Sequence, residues 1–148
     1  EIGTIVDKVK PLVFLTSNNT REMSDALKRR CLHLHIPFPE AKVERTILER
    51  RVPGLSQTLN RELVAFVQAV RAIDLKKQPS VSETIDWAKT LLLLNAEHLS
   101  LDLVRDTLNV FLKFEQDIAS ATEQLPALLA QARKDAELPL SSHHASHA

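Results

Sequence analysis

Only two glycines, Gly3 and Gly54, occur in the 148 residues of this chain. A phosphate-cradling loop needs several glycines to bring backbone N–H groups against the anion, so no such loop can be written here. A single cysteine, Cys31, excludes an internal disulfide framework and a multi-cysteine zinc site. A reducing, cytoplasmic setting is the simplest reading. Excess charge of one sign is missing too. The 19 Lys+Arg balance 19 Asp+Glu, so no long-range field would hold the chain on nucleic acid or on an anionic membrane. The longest apolar run, from Leu91 to Leu94, falls far short of the roughly 20 residues that span a bilayer. No signal peptide is legible. The first residue is Glu1 rather than Met, which suggests a chain processed or cut from something longer.

What is present reads as a globular chain. Apolar residues at 44% and charged residues at 26% exclude disorder by composition. The length suits one domain, or one domain with a piece of another. Residues 1–38 have their own texture. The run Leu12-Val13-Phe14-Leu15 ends in Thr16-Ser17-Asn18-Asn19, which predicts a buried strand over 12–17 stopping in a polar loop. Ser24-Asp25 can cap a short helix reaching Arg30. Leu32, Leu34 and Ile36 then alternate with His33 and His35, the period of a half-buried strand over 31–36. Pro37 and Pro39 close it, since neither can donate to a ladder.

From Pro39 the pattern is helical, with Pro39 suited to a first helical position. Val43, Ile47 and Leu48 predict one apolar side, with Glu44, Arg45, Glu49 and Arg50 solvated opposite. Pro53-Gly54 ends that helix. Leu63, Phe66, Val67 and Val70 fall at i, i+3, i+4 and i+7 in a helix from about 59 to 73. Ser80-Val81-Ser82-Glu83 is a capping box. The helix behind it is apolar on two sides, through Ile85, Ala88 and Leu92 and through Trp87, Leu91 and Leu94, which predicts a central position. Ser100 can cap the next helix, carrying Val104, Leu108, Phe111 and Leu112. A last helical stretch carries Ile118, Leu125, Leu128, Leu129 and Ala132, with a break or restart expected at Pro126. The polar, His-rich end of the chain reads as a tail.

Few residues suggest chemistry. Asn18 closes a predicted strand, where an amide can orient a water by donating and accepting; on local chemistry alone a plain turn is the simpler reading. Lys28-Arg29-Arg30 ends a helix, where cations offset the dipole; a guanidinium acting in trans on phosphoryl transfer is the functional alternative. His33 and His35 could form a metal pair, but no third ligand is spaced nearby, so solvated histidines on a strand face are the simpler reading. Cys31 reads as a small buried hydrophobe, and Glu83 as a capping residue rather than a site carboxylate.

Three stretches together resemble a known family. They are Glu1-Ile2-Gly3-Thr4-Ile5, Pro11 to Asn18, and Thr20-Arg21-Glu22-Met23-Ser24-Asp25-Ala26-Leu27-Lys28-Arg29-Arg30-Cys31-Leu32. In order and spacing they resemble the C-terminal half of a MoxR-type AAA+ ATPase, in the branch found beside carbon-monoxide dehydrogenase genes. Val81 to Ala88 is similar to that branch's lid. The likeness covers roughly residues 1–95. It implies that Asn18 is the first sensor and Arg30 the arginine finger, with Arg29 as the neighbouring candidate. A finger acting on the next subunit implies a homo-oligomeric ring, commonly a hexamer. The family implies ATP and Mg²⁺ in the parent protein, none bound by this stretch alone, and as partners a von Willebrand factor A-domain protein and a client enzyme. The family's phosphate-binding loop and acidic metal motif have no counterpart here. Glu83 stands where a second-sensor Arg is common, leaving Arg71 or Lys77 as substitutes.

The expected fold is mainly α: a helical AAA+ lid bundle preceded by two short strands and a helix left from an α/β core. Residues 1–38 would be the core piece, 39–138 the lid and 139–148 a flexible tail. In such a sheet the strand carrying the phosphate loop lies between the two strands present here. Without it both have unpaired edges, so residues 1–38 are expected to be poorly ordered, rearranged or chain-swapped. The alternative is a non-catalytic helical adaptor that binds a partner through an apolar stripe.

Overall fold

The computed structural model describes residues 12–16 and 24–137. The chain divides into two units, Glu1–Ile36 and Pro37–Ala148. Seven helices and no strand are found among the described residues.

In the first unit the described residues form one short helix, α1 (Asp25–Lys28). Ser24 stands at its N-cap, but its side chain makes no capping bond, and the helix stops two residues short of Arg30. Neither expected strand forms over the described residues. Leu12, Val13, Phe14, Leu32, Leu34 and Ile36 all lie exposed. The physical reason is that strand pairing is non-local. An apolar alternation buries nothing until a second edge is supplied.

The second unit holds α2 (Ala41–Arg51), α3 (Gln57–Arg71), α4 (Val81–Leu93), α5 (Leu101–Phe111), α6 (Glu115–Glu123) and α7 (Leu125–Glu137). Polar punctuation sets most boundaries. The Ser56, Ser80 and Ser100 hydroxyls accept from the amides of Leu59, Glu83 and Leu103, satisfying donors that a helix start leaves free. Gly54, at φ +100°, carries the turn after α2, where a β-carbon would be strained. The restart expected at Pro126 occurs: Gln124 ends α6, and Pro126 lies in the first turn of α7, where its missing N–H costs nothing. Pro39 instead lies two residues ahead of α2, whose N-cap is Glu40.

The core gathers one face from each helix. Leu63, Phe66, Val67 and Val70 of α3 are all completely buried. Trp87 of α4 stacks on Phe111 of α5 at 4.4 Å between ring centroids, and Phe66 meets Trp87 at 5.6 Å and Phe111 at 6.2 Å. Each such pair adds about 0.5–1.5 kcal/mol beyond area burial. The indole N–H donates to Thr107 Oγ1 at 2.8 Å, so the largest core side chain hides no unpaired donor. The central position expected for α4 is found in Trp87, Ala88 and Leu91, while Leu94 lies past the helix end and is exposed.

One helix face is corrected. Val43, expected on the apolar side of α2, is half exposed, and Glu44, expected in solvent, is completely buried. The side that packs runs through Ala41, Glu44, Ile47 and Leu48. A carboxylate can occupy it because Arg71 of α3 lies against it.

Candidate functional site

Arg29 and Arg30 directly follow α1. Their amides are held by Asp25 O and Leu27 O, each at 3.1 Å. Both side chains are exposed, and neither forms an ion pair among the described residues. Two adjacent guanidiniums on a short helical turn can present positive charge to an outside anion. Asn18 lies outside the described residues. The arrangement of Asn18 relative to the arginines therefore rests on sequence order. His33 and His35 are exposed. Cys31, expected to be buried, is exposed as well, because no sheet covers residues 31–36 to bury it.

The bundle holds the most elaborate polar constellation, and periodicity alone did not identify it. Glu44 accepts from Arg71 in a fork, Nη1 to Oε2 at 2.7 Å and Nη2 to Oε1 at 2.8 Å. Gln68 Nε2 donates to Oε2 at 2.9 Å, and Thr84 Oγ1 lies 3.1 Å from Oε1. Arg71 Nε donates to Pro79 O at 2.9 Å, and the guanidinium carbon lies 4.5 Å from the centre of the Phe38 ring. The group ties α2, α3 and α4 to the connection before α4. A weak signal was present: Glu44 precedes Leu48 by one helical turn, so the two share a face.

A second constellation surrounds Glu83. Its Oε2 accepts from the Ser80 amide at 2.7 Å, completing the capping box, and its Oε1 lies 2.9 Å from Lys77 Nζ. Burial pushes the Glu83 carboxyl up. The Lys77 ammonium and the Ser80 amide and hydroxyl outweigh it and hold the group below its ordinary value. Beside it, the buried Asp117 of α6 accepts from the amides of Lys76 and Lys77 at 2.8 and 3.1 Å. Carboxylates of α6 and α4 thus hold the middle and the end of the segment between α3 and α4.

The Arg71 side chain is 6% exposed and spends its fork on Glu44. Lys77 is engaged by Glu83. Arg71 is thus enclosed with its carboxylate, whereas Lys77, 40% exposed, pairs with Glu83 near the surface.

An open groove of about 470 Å³ lies where the start of α3 meets the end of α7, lined in part by Thr58, Arg61, Glu62, His98, Arg133 and Glu137. Glu62 is already engaged: Oε1 lies 2.9 Å from His98 Nδ1, and Oε2 accepts from the Leu99 amide at 2.7 Å. Arg133 donates to Leu99 O at 3.3 Å. These bonds dock the α4–α5 connection on α3 and α7. No helix among the described residues is long and apolar enough to cross a membrane.

Comparison with known proteins finds no matching family model, no matching curated protein and no matching solved structure.

Proposed function

We propose that this chain is the C-terminal part of a MoxR-type AAA+ ATPase that drives remodelling, or metal-cofactor maturation, of a client enzyme. The observation that carries the reading is the ordered agreement along residues 1–32: an apolar run ending in Thr16-Ser17-Asn18, then Ser24-Asp25-Ala26-Leu27-Lys28-Arg29-Arg30-Cys31. A helical bundle after Pro37, with a capping box opening α4, is compatible with a lid.

In this reading Arg30, or its neighbour Arg29, extends a guanidinium to the nucleotide of the adjacent subunit. A fixed cation facing the charge that develops in phosphoryl transfer lowers the barrier without reorganising at the moment of reaction. Asn18 orients the attacking water. The assembly is a ring, commonly hexameric, in the cytoplasm, with a von Willebrand factor A-domain protein as partner. ATP and Mg²⁺ are held by the parent protein outside this stretch. Arg71 and Lys77 are committed to carboxylates, so no step is assigned to them, and the chain alone is inactive.

The test is ATPase turnover of the longer native reading frame, wild type against Arg30→Ala, alone and mixed. A loss on the order of 10³, with subunits affecting each other on mixing, supports the reading. Turnover equal to wild type reduces Arg30 to a helix-end cation and moves the test to Arg29. The second reading, a helical adaptor, draws support from the adjacent exposed Leu93 and Leu94. A Gly-rich loop ending in Gly-Lys-Ser/Thr upstream of Glu1 in that frame favours the ATPase, and its absence favours the adaptor.

A further inference from the structure

We infer that the rigid body of the bundle begins at Phe38, three residues ahead of its first helix, and that Arg71 is the buried hub of a clamp holding it there.

The argument begins with where the segment's bonds go. Residues 37–40 belong to no helix, and a segment just before a helix is ordinarily free to fray. Here the Phe38 ring covers the Arg71 guanidinium at 4.5 Å, a favourable placement for a weakly hydrated planar cation. The next carbonyl, Pro39 O, accepts from Gln68 Nε2 at 3.1 Å. The same Nε2 donates to Glu44, so segment and ion pair share one donor group. Pro37 and Pro39 flank Phe38, and each fixes its own φ near −65°. Stiff backbone on both sides transmits the anchoring of one ring to its neighbours.

The hub itself cannot give way. Glu44 and Arg71 are both buried, and Arg71 is also held by Pro79 O and Thr84 Oγ1. Releasing the guanidinium would leave a buried carboxylate unpaired. Phe38, by contrast, is 44% exposed. The ring and Gln68 are therefore the separable parts of the clamp, and removing them spares the ion pair. The inference stands on bundle contacts alone and does not depend on the ATPase reading.

Backbone ¹⁵N relaxation on the 148-residue chain tests it. In wild type the heteronuclear NOE of Phe38 should match that of α3, with a sharp drop by Ile36. In Phe38→Ala/Gln68→Ala the NOE at residue 38 should fall to the level of residue 36, while the Trp87 indole resonance and the α3 values stay put. Either a wild-type Phe38 as mobile as Ile36, or a double variant whose residue 38 stays as rigid as α3, overturns the clamp. The first of these outcomes overturns it even if the double variant does not fold.

Discussion

Glu44 and Arg71 are separated by 27 residues and meet as a bidentate pair in the bundle interior, with both oxygens and two guanidinium nitrogens matched at 2.7 and 2.8 Å. Such a pair repays its desolvation only through geometry and further hydrogen bonds. Here Gln68, Thr84 and Pro79 provide them. The pair ties α2 to α3 across the bundle interior.

Glu44→Ala should therefore cost about 3–5 kcal/mol, since it leaves Arg71 buried without its partner. Replacing both members with apolar residues of similar volume should cost far less. Urea unfolding followed by the fluorescence of Trp87, the only tryptophan, measures both. Similar losses in the single and double variants would show that the pair is not acting as a unit.

The capping box at Ser80 should lend a pH dependence to stability. The native Glu83 carboxyl is held below its ordinary value of 4.5, so its contribution is fully present above that pH. It is lost as pH falls through the lower native value. Glu83→Gln keeps a side-chain acceptor at the same capping position but removes the charge. The stability gap between wild type and Glu83→Gln should be widest near neutrality and should close in acid. A gap independent of pH would show that the carboxylate charge contributes nothing.

Trp87 offers a probe of the core. Its N–H donates to Thr107 Oγ1, which lies 2.7 Å from Leu103 O. Thr107→Val keeps the shape and removes the acceptor, stranding the indole donor. The expected cost is about 1–3 kcal/mol, with Thr107→Ser recovering most of it. Thermal unfolding of the three proteins distinguishes this from a packing effect, which Thr107→Val would spare.

Cys31 should behave as an accessible thiol. Its exposure predicts complete labelling by a thiol reagent in the native protein, without denaturant and at a rate close to that of the unfolded chain. Strong protection would place the residue in a covered strand.

Much of the bundle was legible because its signals are local. A serine with a glutamate three residues on makes a cap from its own neighbourhood, and α4 starts at that cap. A proline past the start of an apolar stretch breaks it wherever it lies, and α7 restarts accordingly. The face of α3 followed from spacing, since Leu63, Phe66, Val67 and Val70 form one continuous apolar stripe. The face of α2 did not, because charges surround most of that helix and several rotations satisfy the pattern.

The candidate site divides in the same way. Arg29 and Arg30 stand at a helix end, as local chemistry suggested, while their relation to Asn18 depends on a chain course outside the described residues. The strands expected at 12–17 and 31–36 needed edges that their own residues cannot supply. Sequence alone thus determined the start of α4, the restart at α7 and the apolar face of α3, which depend on residues within a turn or two. Only the tertiary structure decided that Glu44 is interior and Val43 exterior, that Arg71 and Lys77 are spent on carboxylates, and that Cys31 is open. Burying a charge, or leaving a thiol uncovered, depends on a partner brought from far along the chain.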